Sequence, residues 1–392
     1  MNTSALRTFL GADQVSNTVE NRLVYSRDAS NLAGDCLAVV WPVHLEQVSA
    51  LAEWACQEGI DLVPRGAGTG LCGGATPQSS VVVDFSRLNT IDAFDMEKRS
   101  VHVSAGTVLD TLNRKLQPHE LFLPVIPGSH RAASLGGMMA TNAAGLRAVR
   151  YGNMRQWVEQ VTLVDGRGHV HQLIGEKLDD IVGREGVTGL ITNAILRLAP
   201  IPQRRLLSLH SFASDSELLV ERSRWLQDQR LTALEYFNRH AAAQIGWEAR
   251  PYLLTEWDGG EGENLDAARI AELWQARDGL YPRLAQSGYP VIEDPQIEGD
   301  AGMAALLEWL DAEGIPAFGH LGLGILHPCF KPGDARLEDL YKLIAEHGGR
   351  VSGEHGIGMK KKAWVSPTFQ EEIRQLKTIY DPNNVFNRGK LC

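Results

Sequence analysis

The chain has 392 residues, 44% hydrophobic and 22% charged, a length suited to two or three domains and a composition that excludes wholesale disorder. Forty-eight acidic residues against 38 Lys and Arg leave a net charge of −10, and no basic run is longer than Lys360–Lys362, which argues against nucleic acid as a partner. Five scattered cysteines (Cys36, Cys56, Cys72, Cys329, Cys392) never fall in CxxC spacing, which argues against a disulfide framework, a cysteine-rich zinc knuckle and an iron–sulfur cluster.

The N-terminal stretch MNTSALRTFLGADQ carries no hydrophobic core of a secretory signal. Apolar runs such as Leu37–Trp41 fall far short of the ~18 residues of a membrane span. The cytosol is the expected compartment, with a peripheral place at the inner face of the membrane left open. Residues 44–58 carry Leu45, Val48, Leu51, Ala52 and Ala55 at helical spacing and stop at Gly59. A strand Ile60–Pro64 runs into the first glycine cluster. Val81–Phe85 and Val101–Ser104 read as strands, and Thr107 is expected to cap a helix through about Leu116. Val158–Asp165 and His169–Leu173 form a hairpin around Gly166-Arg167-Gly168, and Gly189–Leu198 is a further strand. Pro200 and Pro202 place a boundary near 200–204.

Beyond it the pattern is strand Arg205–Phe212, helix Asp215–Gln229, strands Leu231–Phe237 and Tyr252–Trp257, a helix over 263–278 and a closing segment Ile315–His327. That order is the split βαβ, ferredoxin-like arrangement. A helix over 335–347 precedes a last stretch of loop, glycine turn and helix. The domains expected are 1–203, 204–346, and a C-terminal segment 347–392 that returns to the first.

Glycine is enriched, at 39 residues, and clusters at 66–74, 128–152, 183–189, 319–324 and 348–358. Separated glycine loops suggest backbone approaching a large ligand from several sides. In Pro64-Arg65-Gly66-Ala67-Gly68-Thr69-Gly70-Leu71-Cys72-Gly73-Gly74, small residues after a strand let consecutive amides converge on an anion such as a pyrophosphate. Gly68, Gly70 and Gly73 formally satisfy GxGxxG, but that motif must open a helix, and Gly73-Gly74-Ala75-Thr76-Pro77 is poorly suited to one. A tight turn without a ligand stays open for this segment alone.

The second cluster is Pro127-Gly128-Ser129, then Ser134-Leu135-Gly136-Gly137-Met138-Met139-Ala140-Thr141-Asn142-Ala143-Ala144-Gly145, then Tyr151-Gly152. Together with PRGAGTGLCGG it resembles the FAD-binding domain of the vanillyl-alcohol oxidase/p-cresol methylhydroxylase superfamily. Within that group the chain is most similar to FAD-linked dehydrogenases of D-2-hydroxy acids (D-lactate, glycolate, D-2-hydroxyglutarate). The similarity extends to Tyr25–Ser30, Gly183–Thr192 and Asp381–Lys390, in the family's order. It implies an α+β fold: a two-lobed FAD-binding domain of the p-cresol methylhydroxylase type plus a ferredoxin-like substrate (cap) domain. It further implies that Pro64, Arg65, Gly66, Ala67, Gly68, Thr69, Gly70 and Gly73 hold the FAD pyrophosphate. Pro127, Gly128, Ser129, Ser134, Gly136, Gly137, Ala140, Thr141, Asn142, Gly145, Tyr151 and Gly152 would line the dinucleotide and isoalloxazine. Glu185, Gly186, Gly189 and Ile191 would take the adenosine side, and Asn387 would come from the returning segment. The first loop has no histidine, so non-covalent FAD is expected rather than a tethered flavin.

Gly319-His320-Leu321-Gly322-Leu323-Gly324-Ile325-Leu326-His327 sets two imidazoles seven residues apart, on opposite faces of a regular strand unless the glycines bend it. Ser352-Gly353-Glu354-His355-Gly356-Ile357-Gly358 adds a carboxylate and a third imidazole. Two histidines and a carboxylate with open positions suit zinc or a related divalent ion, although a lone histidine in an apolar strand is more often a hydrogen-bonded core residue. The resemblance assigns His320, His327 and Glu354 to metal, His355 to the catalytic base and Arg277, in Leu273-Trp274-Gln275-Ala276-Arg277, to the substrate carboxylate. Relatives carry Gly-Asp-Gly-Asn where this chain has Gly322-Leu323-Gly324-Ile325, which removes an acid and an amide from the loop. The resulting expectation is oxidation of a D-2-hydroxy acid to a 2-oxo acid, with hydride passing to flavin. Electrons would then leave to a separate acceptor: an electron-transfer flavoprotein, a quinone or an iron–sulfur subunit. A non-catalytic FAD-binding subunit of a larger complex and a metal-free FAD alcohol or amine oxidase stay open, as does a homo-oligomer.

Overall fold

Valine-rich strands buried on both faces and helices with one apolar stripe build two units in the computed structural model, which describes residues 3–202, 204–259 and 265–391. The first unit comprises Met1–Ala143, Asn153–Ile201 and His355–Cys392; the second comprises Ala144–Gly152 and Pro202–Glu354.

In the first unit one sheet runs in the spatial order Val15–Ser16, Asp35–Val40, Gln78–Asp84, Leu62–Arg65. The last three strands are parallel, which explains why they read as apolar runs rather than as alternation. The helix Leu45–Glu58 packs Val48, Leu51, Ala52 and Ala55 into the core and ends at Gly59. No helix follows the 66–74 loop; the chain passes directly into the strand Gln78–Asp84. A second, antiparallel sheet is ordered Ile91–Asp95, Ser100–Ser104, Leu190–Arg197, Val158–Val164, Val170–Ile174, the last two forming the expected hairpin. One expectation fails locally. The N-cap of helix Leu109–Leu116 falls on Val108, one residue past Thr107, and has no side-chain cap; the Thr107 hydroxyl donates to the Thr90 carbonyl at 3.1 Å.

The second unit holds a sheet ordered Arg205–Ser211, Tyr252–Asp258, Leu231–Phe237, Ala317–His320, His327–Phe330, Val291–Ile292. All its pairings are antiparallel. The first three strands make the split βαβ: the third lies between the first and the second, which the helix Asp215–Trp225 connects. That helix is shorter than the expected 215–229, since Asp228 turns the chain by accepting from the Arg230 amide at 2.9 Å. Of the helix expected over 263–278, residues 263–264 lie outside the described residues, and Ala267–Asp278 is helical. The closing segment is two short strands with a tight turn between them rather than one strand.

The segment Ala144–Gly152 is an unexpected member of this unit. Arg147 donates through Nε and Nη2 to the Glu256 carboxylate at 2.6 and 2.8 Å, and Val149 packs on the unit's core. Among the described residues, no helix is long and apolar enough to cross a membrane.

Candidate active site

His320 ends one strand and His327 begins the next. Between them a 3-10 turn, Leu321–Leu323, is closed by Gly324 at φ +68°, a backbone region that disfavours any Cβ. A Cβ at Gly324 would also overlap the Ile297 carbonyl. The turn cancels the opposite-face problem of an odd spacing, and the two imidazoles stand 5.4 Å apart between centroids at 86°. Both turn Nε2 toward one carboxylate. His320 Nε2 is 3.4 Å from Glu354 Oε2, and His327 Nε2 is 3.2 Å from Glu354 Oε1. The donor atoms of all three residues lie within 4.8 Å of one another.

The surroundings hold these groups in place. Glu354 sits on a loop pinned by Asp294, whose Oδ2 accepts from Ser352 Oγ (2.8 Å), Gly353 N (3.1 Å) and Glu354 N (2.7 Å). Asp294 is fully buried. His327 Nδ1 donates to the Glu293 carbonyl at 3.3 Å, while the Glu293 carboxylate accepts from the Tyr341 hydroxyl at 2.8 Å. His320 Nδ1 meets Glu235 Oε1 at 2.6 Å, and Arg277 Nε donates to Glu235 Oε2 at 2.7 Å. Burial alone would raise the Glu235 pKa, but His320 and Arg277 outweigh it and hold the group down to about 2. Burial likewise works against a charged His320, yet Glu235 and Glu354 raise its pKa to about 9. An ionised carboxylate only accepts, so His320 donates Nδ1–H to Glu235, and a cation that displaced the second ring proton would take Nε2. A pocket negative enough to keep a proton on a buried imidazole, with two Nε2 atoms and a carboxylate converging, fits a divalent cation in an open His2Glu set.

Arg277 closes the last turn of the helix Ala267–Asp278. Its side chain is 11% exposed and lies 5.3 Å over the Phe318 ring. Only Nε has a hydrogen-bond partner among the described residues, so the two Nη groups are left for an anion. Between the two histidines, Leu323 contributes its carbonyl to Gln296 Nε2 at 3.0 Å, and Ile325, 1% exposed, fills the space against Gly353. His355 follows Glu354 directly, is half-buried and belongs to the first unit.

The glycine loops of the first unit converge. Gly66 lies against Ser134, Gly186 against Pro64, and Gly183 against Asn142. Ser134 opens a short helix, Leu135–Ala140, by accepting from the Gly137 amide at 3.3 Å. Gly68 holds φ +68°, while nothing lies within 4 Å of where a Cβ would stand on Gly70 or Gly128. The Thr76 and Thr188 hydroxyls are buried with no hydrogen-bond partner among the described residues. Open glycine faces and orphaned hydroxyls beside converging loops fit a polar dinucleotide.

Two of the expected cofactor-binding residues, Asn387 and Glu185, also bond to other loops of the first unit. Asn387 is 1% exposed; its Nδ2 donates to the Gly74 and Glu185 carbonyls at 3.2 and 2.6 Å. Its Oδ1 accepts from Lys390 at 2.9 Å. It therefore ties two loops together. The Glu185 carboxylate accepts from the amides of Ile357 (2.6 Å) and Gly358 (2.9 Å) and so secures the segment that follows His355. Gly145, Tyr151 and Gly152 are assigned to the second unit. Sequence reasoning missed Glu235 and Asp294. Their signal was a charge inside an otherwise apolar stretch, LTALEYF and VIEDP, where an acid is costly unless it is paired.

Comparison with known proteins bears on the family and the fold. Residues 36–174 match an FAD binding domain, and 217–391 match the C-terminal domain of FAD linked oxidases. The D-2-hydroxyglutarate dehydrogenase of Xanthomonas citri pv. viticola is 30% identical over 91% of this chain and 89% of its own. The glycolate oxidase subunit GlcD of Bacillus subtilis is 27% identical over 97% and 94%. The D-lactate dehydrogenase of Archaeoglobus fulgidus is 28% identical over 92% of each. A solved alkyldihydroxyacetonephosphate synthase shares the fold, with a TM-score of 0.71 at 15% identity over 98% of this chain and 83% of that one. The chain belongs to the FAD-linked oxidase family with the p-cresol methylhydroxylase type of FAD domain, and FAD is its cofactor.

Proposed function

We propose that this enzyme oxidises a D-2-hydroxy acid to the corresponding 2-oxo acid. The observation that carries the reading is the pairing, through Glu235, of a buried guanidinium with free Nη donors and a His2Glu donor set. A 2-hydroxy acid presents the matching pair of groups, a carboxylate and a hydroxyl on adjacent carbons. The relatives named for D-lactate, glycolate and D-2-hydroxyglutarate support the substrate class and its hand.

In this reading Arg277 binds the carboxylate through its Nη groups, a task suited to a planar guanidinium. His320, His327 and Glu354 would hold a divalent metal, zinc by its donor set. When bound, FAD supplies the hydride acceptor for C2 and the metal supplies a Lewis acid at the hydroxyl oxygen. His355 takes the hydroxyl proton, a role typically worth about 10²–10⁴-fold. The loops at 64–74, 127–142 and 183–191 hold FAD non-covalently. The electrons would then leave to a separate flavoprotein, quinone or iron–sulfur partner.

The test is the anaerobic visible spectrum of the flavoprotein before and after a panel of D- and L-2-hydroxy acids. Bleaching of the flavin band by D-acids or glycolate, but not by L-acids, is expected. A bound flavin that no 2-hydroxy acid reduces overturns the reading and favours a partner-subunit role.

A further inference from the structure

Glu235 is a carboxylate where the fold needs none. It lies in the strand Leu231–Phe237, every residue of which is buried, and is itself 1% exposed. An apolar side chain of similar size would fill that position without the several kcal/mol that desolvating an ion costs, roughly speaking. What the carboxylate does instead is bridge. Oε1 accepts from His320 and Oε2 from Arg277, at 2.6 and 2.7 Å, so both oxygens are engaged by groups from two other elements.

We propose that Glu235 is a positioning residue that holds the metal ligand His320 and the carboxylate clamp Arg277 in fixed register. The inference rests on the function proposed above. Three consequences follow from the geometry. Donation of Nδ1–H to Glu235 locks the His320 ring and directs Nε2 toward His327 and Glu354, and an anionic partner makes the ring a better ligand to metal. Engaging Nε fixes the plane of the Arg277 guanidinium and turns its Nη groups to the substrate. Because both anchors share one rigid carboxylate, the span between them is fixed, as a substrate with its two binding groups on adjacent carbons requires. Misplacing a bound group by about 1 Å costs roughly 10²-fold in rate.

The test uses Glu235→Gln in the full-length, FAD-replete protein. Glutamine keeps the volume but satisfies only one of the two donors. Zn(II) affinity is measured by chelator competition, the Arg277 arm is read as pyruvate binding to chelated protein through the flavin spectrum, and melting is followed alongside. Zn(II) affinity lower by about 10–100-fold is expected, with weaker pyruvate binding and a raised KM in the same variant. Arg277→Lys should weaken pyruvate alone and leave Zn(II) unchanged. Should the glutamine variant be too unstable to assay, Glu235→Asp, which keeps the charge but cannot span both partners, enters the same measurements. A variant that melts lower yet binds Zn(II) and pyruvate as the wild type does shows a structural role only and overturns the proposal. Wild-type protein that takes up no Zn(II) overturns the metal reading itself, a distinct outcome.

Discussion

Replacing Asp294 with asparagine tests how the site is held rather than what it is made of. One oxygen of this fully buried carboxylate receives three donors, the last being the amide of Glu354. Hydrogen bonds to a charged group contribute about 1.5–3 kcal/mol each, roughly twice the neutral figure. Asparagine preserves the shape and one acceptor, so the loss is about 1 kcal/mol per bond, or about 2–3 kcal/mol in all. That loss falls on the loop that presents Glu354, and at about 1.4 kcal/mol per tenfold it becomes a Zn(II) affinity lower by roughly 30–100-fold. Chelator competition with Zn(II) measures it, with flavin content checking that the first unit is intact. Wild-type Zn(II) affinity in Asp294→Asn would refute the argument that Asp294 places the ligand.

His355→Ala should lower kcat by about 10²–10⁴-fold while leaving Zn(II) stoichiometry and the flavin spectrum unchanged; a kcat within a few-fold of wild type removes His355 as the base. Arg277→Lys should raise KM by about 10–100-fold, the value of one charged hydrogen bond, with a smaller change in kcat; steady-state kinetics separates the two. Burial raises the Glu185 pKa to about 7 despite its two amide donors and the nearby Lys390 and Lys361. The unfolded chain loses this proton near pH 4.5, so the folded state binds more protons between about 4.5 and 7, and stability falls by about 3 kcal/mol as pH rises through that window. Glu185→Gln should flatten that segment of the melting-versus-pH curve, and parallel curves for the two proteins would contradict the assignment.

The strands and helices that define the two units were legible because their apolar spacing is local. Leu231–Phe237 and the helix ending at Gly59 emerge from pattern alone. The two histidines and Glu354 were legible as residue types, but their convergence depends on a 3-10 turn and on Gly324, which periodicity cannot place. Glu235 was hidden for the opposite reason: a strand read as uniformly buried drew attention from the one charge within it. Thr107 misled because a hydroxyl ahead of a helix suggests a cap, whereas the cap position falls one residue later, on Val108. The assignment of Ala144–Gly152 was illegible, since nothing in nine residues announces which distant core they will join.

That short segment decides what counts as a module in this protein. A fragment cut as the contiguous stretch 202–354 would contain Glu256, 3% exposed, without the arginine that binds it through two donors. Removing one partner of a buried pair typically costs about 3–5 kcal/mol, a large share of the stability of an ordinary domain. The second unit is therefore neither an insertion that can be excised nor a cassette that can be transplanted. During synthesis the ribosome delivers residues 144–152 well before the strand that needs them, and the segment waits for its partner. Exchanging this unit between relatives requires carrying the nine residues with it, and a peptide of that sequence added in trans is the natural complement to the excised fragment.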